Sequence, residues 1–246
     1  MNSSLSRLQT YFGHLDAQPL LQAMIGDEFA GKIGIVSSFG AGSALLLSMI
    51  SEVNKATPVM FLETGKHFPE TLEYIENIKN KLGLTDVRML QPDAKLLGNV
   101  DPKGELWQTQ PNRCCWVRKV EPLQRAMKEG DFQALITGRK SYQTAQRSDM
   151  QTIELNEDGK FRINPLALWT KEMVKAEFKR RDLPEHPLVS KGYLSIGCAP
   201  CTRPIKEGED ERAGRWAHTA EMPGGEKKVE CGIHLEGMPV RPDWNI

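Results

Sequence analysis

The sequence predicts an α/β protein: a parallel sheet flanked by helices, followed by a mobile C-terminal tail. Three observations predict it. Short runs of branched apolar residues alternate along the chain with longer amphipathic stretches, the pattern of strand–helix–strand crossovers. Small or polar residues follow the strand runs directly, as they do where a strand turns into a helix. From Gly208 the composition shifts to Glu, Gly, Lys and Pro with few apolar positions, so residues 1–207 read as the α/β domain and 208–246 as the tail.

Residues 5–24 place Leu5, Leu8, Phe12, Leu15, Leu20, Leu21 and Met24 at irregular helical spacing. Residues 33–37 form a short buried strand, 38–43 a turn of small residues, and 44–53 a helix. A second strand over 58–62 runs into Glu63-Thr64-Gly65. The helix at 69–81 has Pro at its start and Gly83 just past its end. A third strand covers 86–90, and 91–113 read as irregular. Pro122 interrupts the helical pattern after Cys114-Cys115, so the helix kinks there or a new one begins. Residues 132–137 are a fourth strand leading into the polar stretch 138–150. Residues 153–155 and 161–164 flank Asn156-Glu157-Asp158-Gly159, a hairpin turn. Residues 170–181 are a polar helix. On such a sheet ligands bind at the carboxyl ends of strands, which brings 37–43, 63–65 and 138–147 to one crevice.

A chain of 246 residues can bury a core without disulfides. Lys plus Arg and Asp plus Glu both number 32. The zero net charge argues against bulk attraction to nucleic acid or to an anionic membrane. No apolar run approaches the roughly 20 residues that span a bilayer, and the N-terminus lacks the apolar stretch of a signal peptide. A cytoplasmic location is the expectation, and thiols there stay reduced. Oligomeric state is open, a homo-oligomer included.

The cysteines carry the sharpest signal. Cys114 and Cys115 are adjacent, and Cys198-Ala199-Pro200-Cys201 supplies a second pair. A disulfide between neighbours closes a strained ring. Four thiols suffice for a tetrathiolate site, zinc or iron–sulfur. Zinc pairs usually have intervening residues, whereas adjacent ligands sit more easily on a bulky cluster with separate iron corners. The plain alternative is four buried structural cysteines. Arg118 and Lys119 follow the first pair, where cations balance thiolate charge or form a solvated basic face. The small-residue turn at 38–43 can aim backbone N–H groups at an anion, or merely join strand to helix. Gly138-Arg139-Lys140 with Arg147 offers forks and charges for sulfate or phosphate oxygens. Cys231 reads as a lone exposed thiol near Lys227, Lys228 and His234, either a nucleophile or an inert tail cysteine.

Taken together, these stretches resemble the assimilatory adenylyl sulfate reductases of the phosphoadenylyl/adenylyl sulfate reductase family. The resemblance rests on Cys114-Cys115-x-x-Arg118-Lys119-Val120-x-Pro122-Leu123 and Ile136-Thr137-Gly138-Arg139-Lys140 with Arg147. It continues through Gly197-Cys198-x-Pro200-Cys201-Thr202-Arg203-Pro204, Arg212-x-Gly214-Arg215-Trp216 and Glu230-Cys231-Gly232-x-His234. Leu62-Glu63-Thr64-Gly65 looks like the family's Leu-Asp-Thr-Gly turn. The resemblance implies an adenine nucleotide α-hydrolase-like fold and a [4Fe-4S] cluster on Cys114, Cys115, Cys198 and Cys201. It implies thioredoxin-dependent reduction of adenylyl sulfate to sulfite and AMP, in sulfate assimilation for cysteine biosynthesis. Cys231 would attack the sulfur and carry the sulfo group, closing over the crevice on its tail. Substrate contacts would fall at Ser38, Gly40, Leu62, Thr64, Lys119, Gly138, Arg147, Arg212, Arg215 and His234.

Two departures stand out. Gly42 occupies a position where the family usually has an acidic residue, and Trp216-Ala217-His218 replaces a run of tryptophans. The nearest rival substrate is 3′-phosphoadenylyl sulfate, whose dedicated reductases generally lack the paired cysteines. An ATP-dependent adenylating enzyme on the same fold would want a Ser-Gly-Gly-x-Asp-Ser-type loop, which 37–43 does not supply. A metal-stabilised binding module would have no use for Cys231.

Overall fold

The structure is a computed structural model that describes residues 3–221, 228 and 230–234. Its centre is a six-stranded sheet in the order β3-β2-β1-β4-β6-β5. The strands are β1 (Ile33–Val36), β2 (Val59–Leu62), β3 (Val87–Leu90), β4 (Ala134–Ile136), β5 (Ile153–Leu155) and β6 (Phe161–Ile163). All neighbours pair parallel except β5, which runs antiparallel to β6 across the expected hairpin. Gly159, with φ 74°, closes that turn.

Side-chain alternation sorts the sheet's two faces. Ile33 and Ile35 of β1, Phe61 of β2 and Ala134 and Ile136 of β4 enter the main core. Val36, Met60, Leu62 and Leu135 point the other way, into a smaller core with Leu123 and Met127. On the first face lie α1 (Ser3–Phe12), α2 (Ala17–Ala23), α3 (Ser43–Val53), α4 (Pro69–Leu82) and α9 (Lys171–Arg180), all contributing to the main core. Every residue from Ala44 to Ile50 is buried, so α3 is covered on all sides. Pro69 opens α4 and Gly83, in the left-handed region, ends it as the sequence predicts. No described helix is long and apolar enough to cross a membrane.

The stretch 91–113 differs from its irregular reading. It holds α5 (Ala94–Val100), α6 (Leu106–Thr109) and α7 (Pro111–Cys115). The Asp93 carboxylate caps α5 by accepting from Leu96 N at 2.7 Å, and Asp101 accepts from Leu106 N at 3.1 Å. Capping by two aspartates makes short helices where apolar periodicity is too brief to show them.

At Pro122 the helical rod neither kinks sharply nor starts afresh. Residues Trp116–Val120 form a π turn between α7 and α8 (Glu121–Glu129), with the Glu121 N–H reaching the Trp116 carbonyl five residues back. Pro122 has no N–H to give Arg118, and the wider turn absorbs that loss. A second π turn, Met24–Glu28, ends the α2 rod.

Strand order runs outward from β1 in both directions, so the topological switch point lies between β1 and β4. The loops leaving these two strands flank the crevice. The described part of the tail docks on the same side: Trp216 is 1% exposed, and its N–H donates to Cys201 O at 2.9 Å. Thr202 and Arg215 form an antiparallel bridge. Ile233 packs on three separate apolar clusters, and with Trp216 it is what seats a segment otherwise poor in apolar residues.

Candidate active site

The crevice at the switch point is lined by nine of the residues that the sequence nominates. Ser38 and Gly40 come from the turn after β1, Leu62 from the end of β2, and Gly138 and Arg147 from the loop after β4. Lys119 reaches in from the π turn, Arg212 and Arg215 from the early tail, and Cys231 from its far end. Thr64 is not among them. It is fully buried below, its hydroxyl 3.3 Å from Cys198 Sγ. His234 closes a short 3₁₀ turn with Gly232 and Ile233, and its side chain lies outside the described residues.

Local strain shapes the turn after β1. Phe39 takes φ 46°, unusual for a bulky side chain, and is held there by complete burial and an edge-on contact with Phe61 at 5.8 Å. The Phe39 N–H donates to Ser37 Oγ at 3.2 Å, and Ser43 N–H to Gly40 O at 3.0 Å. The first turn of α3 is thereby presented to the crevice.

All five cysteines are free and buried. The sequence reading of Cys231 as an exposed thiol is therefore corrected: the seat made by Trp216 and Ile233 leaves it 9% exposed. Cys114, Cys115, Cys198 and Cys201 line one small pocket beside the crevice. Helix α7 supplies the first two from consecutive positions, and a 3₁₀ turn, Ala199–Cys201, supplies Cys201 with Cys198 just before its start. Among the described residues no three His, Cys, Asp or Glu side chains converge as ligands of a single metal ion would. Burial pushes the Cys201 thiol up to about 12 and raises Cys114.

Arg118 and Lys119 divide their roles. Arg118 is neither a solvated cation nor part of the crevice. It donates to Thr64 O and to Asp101 Oδ2, both at 2.7 Å, and ties three loops together around the cysteine pocket. Its buried Nε–H lines that pocket without a hydrogen-bond partner. Lys119 lines both the pocket and the crevice. Burial opposes its charge, but the sulfur groups of Cys198, Cys231 and Cys115 outweigh burial and raise its pKa.

Cys231 is held well below the usual thiol range. The Cys115 thiol hydrogen-bonds it, and Lys119, the Ile233 N–H and Lys228 add to the effect against burial. Just before it, Glu230 takes two bonds from Arg147. Arg215 lies with its guanidinium carbon 4.4 Å from the Trp216 ring centroid. Gly197 makes room for it, since a Cβ there would sit 2.3 Å from an Arg215 nitrogen.

The crevice also holds residues outside the nominated set. Lys140 is buried, donates to Gly138 O at 3.2 Å, and is lowered to about 8 by burial and by neighbouring Arg147. Lys140 and Glu230 stand inside motifs quoted above, so their burial at the crevice was the missing signal. His67, at 2.8 Å from Leu62 O, and the stretch 194–196 carry no sequence pattern of their own.

A mostly parallel sheet, a crevice at its switch point and a lining of cations and strained turn define a nucleotide-binding α/β protein. Yeast FAD synthetase in complex with FAD shares that fold at 13% identity, with a TM-score of 0.53 over 81% of this chain and 74% of that one. Within that class the chain belongs to the family described as phosphoadenosine phosphosulfate reductase domain, whose profile matches residues 32–204. An adenosine 5′-phosphosulfate reductase of Mesorhizobium japonicum is 44% identical over 233 residues, 95% of this chain and 88% of that protein. The crystal structure of a phosphoadenylyl-sulfate reductase from Candida auris, a phosphate complex, superposes with a TM-score of 0.70. It is 26% identical and covers 82% of this chain and 98% of its own.

Proposed function

We propose that the chain reduces adenylyl sulfate to sulfite and AMP, with thioredoxin as reductant and Cys231 as carrier of the sulfo group. The carrying observation is the placement of the Cys231 thiol: buried, lining the crevice, and near enough to Lys119 for that ammonium to favour the thiolate. The family and the relative's name support the same substrate.

The Cys231 thiolate attacks the sulfur of the sulfo group, and the S–O bond to the phosphate breaks. AMP leaves with that electron pair, as an anion stable at neutral pH. Lys119 and Arg215 face the sulfo oxygens, lowering their repulsion of the thiolate and holding charge in the transition state. A thioredoxin thiolate then attacks the Cys231 sulfur and sulfite departs. The second thioredoxin thiol releases Cys231 as thiolate, so thioredoxin supplies both electrons and ends as a disulfide. Five free cysteines and such a partner suit a reducing cytoplasm.

Cys114, Cys115, Cys198 and Cys201 fit a [4Fe-4S] cluster. Their thiols ring a pocket rather than a point, and the orphan Arg118 Nε–H gives that pocket a donor suited to sulfide. When bound, the cluster supplies a compact anionic group that holds the Lys119 ammonium in place. Cys115 then has no proton to share with Cys231, which leaves Lys119 as the main stabiliser of that thiolate. Protein purified without oxygen should be brown, carry about four irons per chain, and release sulfite and AMP one to one from adenylyl sulfate with thioredoxin. Colourless protein that turns over fully would sink the cluster, and absent sulfite would sink the activity.

A second reading, that the crevice also accepts 3′-phosphoadenylyl sulfate, is favoured by Lys140. Its Nζ lies 3.8 Å from where a Gly42 Cβ would stand, and no described carboxylate pairs with it. With glycine in place of the family's acidic residue, this ammonium is free to take a further phosphate. Lys140→Met should lower kcat/KM for the 3′-phosphorylated nucleotide by about tenfold more than for adenylyl sulfate. Because its folded pKa is depressed, the ammonium destabilises the free protein fully below about pH 8, and that penalty fades as pH rises toward the unfolded value. The same variant should therefore gain on the order of 2 kcal/mol at pH 7 in denaturant titration. An unchanged preference between the two nucleotides would remove Lys140 from substrate recognition.

A further inference from the structure

Arg147 and Arg212 line the crevice, but neither is free to serve the sulfo group alone. Arg147 donates from Nε and Nη2 to the same oxygen of Glu230, at 2.8 and 2.6 Å. The other oxygen lies 3.5 Å from Arg212 Nη2 and accepts the Cys231 N–H at 3.0 Å. The Arg147 and Glu230 side chains are 7% and 9% exposed. A forked pair this well bonded offsets its own desolvation, whereas either partner alone would be a buried, uncompensated charge.

We propose that Glu230 is a positioning residue: an internal anion that latches the Cys231 segment onto Arg147 and Arg212 and fixes the thiol through its own backbone amide. The inference rests on Cys231 being the nucleophile. Glu230 and Cys231 are adjacent, so the carboxylate cannot leave the arginines without moving the thiol. Held in this way, Arg147 and Arg212 act on the tail. Arg215 remains for the substrate: it is 8% exposed, its Nε has no hydrogen-bond partner, and no described carboxylate pairs with it. The sequence reading counted all three arginines as substrate contacts, and the latch separates them.

The test compares the wild type with Glu230→Ala, Glu230→Gln and Glu230→Asp in the nucleotide-free holoprotein. Each is treated briefly with iodoacetamide, and alkylation of Cys231 is read by peptide mass spectrometry. Loss of the carboxylate should speed Cys231 alkylation by at least about tenfold, because the latched state no longer dominates. Alkylation of the other four cysteines should not change. In turnover with adenylyl sulfate, kcat should fall by about ten- to a hundredfold while KM stays level or drops, since two guanidiniums are freed to meet the substrate. Glu230→Asp should recover part of the loss. Glu230→Gln keeps the shape if the alanine variant folds poorly. Unchanged Cys231 alkylation in a folded Glu230→Gln or Glu230→Ala protein overturns the latch. Faster alkylation in a protein that makes no sulfite would uphold the latch and refute the reductase reading.

Discussion

Cys231→Ser is expected to lower sulfite release by about 10⁴-fold or more, the scale on which nucleophile deletions act. A serine hydroxyl is almost wholly protonated at neutral pH, and the groups that favour a thiolate here cannot ionise it. The Glu230 carboxylate and the backbone amide of residue 231 are untouched, so the segment should still dock. Nucleotide affinity, measured by calorimetry with AMP, should stay within about threefold of wild type, a difference below 1 kcal/mol. The iron content should stay the same, because the four thiols that line the second pocket are untouched. Sulfite formation at more than a few percent of the wild-type rate would mean that some other group attacks the sulfur.

Lys119→Gln is expected to lower kcat by about 10²- to 10³-fold with a smaller change in KM, as removal of one preorganised charge from a dry site does. Lys119 borders both the cysteine pocket and the crevice, and its charge is sustained by the sulfur groups of Cys198, Cys231 and Cys115. Glutamine, one bond shorter, keeps N–H donors but not the charge. Lys119→Arg should recover part of the loss, limited by the bulk of a planar fork in a site that buries the native ammonium to 9% exposure. Steady-state kinetics beside visible spectra of each variant separates the two roles: a lost spectrum places Lys119 at the cluster, whereas a lost rate with the spectrum intact places it at the reaction. An unaltered kcat in Lys119→Gln would remove electrostatics from the account of Cys231.

The parallel core was legible because burial on both faces leaves short, wholly apolar runs such as Ile33–Val36 and Val59–Leu62. Pro69 and Gly83 marked helix ends for the same local reason in sequence and structure. Two close pairs of cysteines were legible from spacing, and those four residues line one pocket. Three things were not. The two helices between 94 and 109 depend on aspartates that accept from their first-turn N–H groups rather than on periodicity. Burial of Cys231 depends on Trp216 and Ile233, two residues that any composition count would average away. The Arg147–Glu230 pair joins positions far apart in the chain, and charge in sequence does not say which partner a guanidinium will find.

The π turn at Trp116–Val120 has a geometric consequence. It places one more residue in the rod than a regular helix of the same rise would hold. Each residue of an α-helix turns the axis by about 100°. A chain shortened by one residue at this point would be driven toward a regular spiral, with Pro122 left as a gap in its hydrogen-bond ladder. In doing so it would swing either the cysteine pair or Leu123 and Met127 away from its partner surface. The more regular peptide would be the poorer protein, since the same rod could no longer turn its cysteines to the pocket at one end and pack against the sheet at the other.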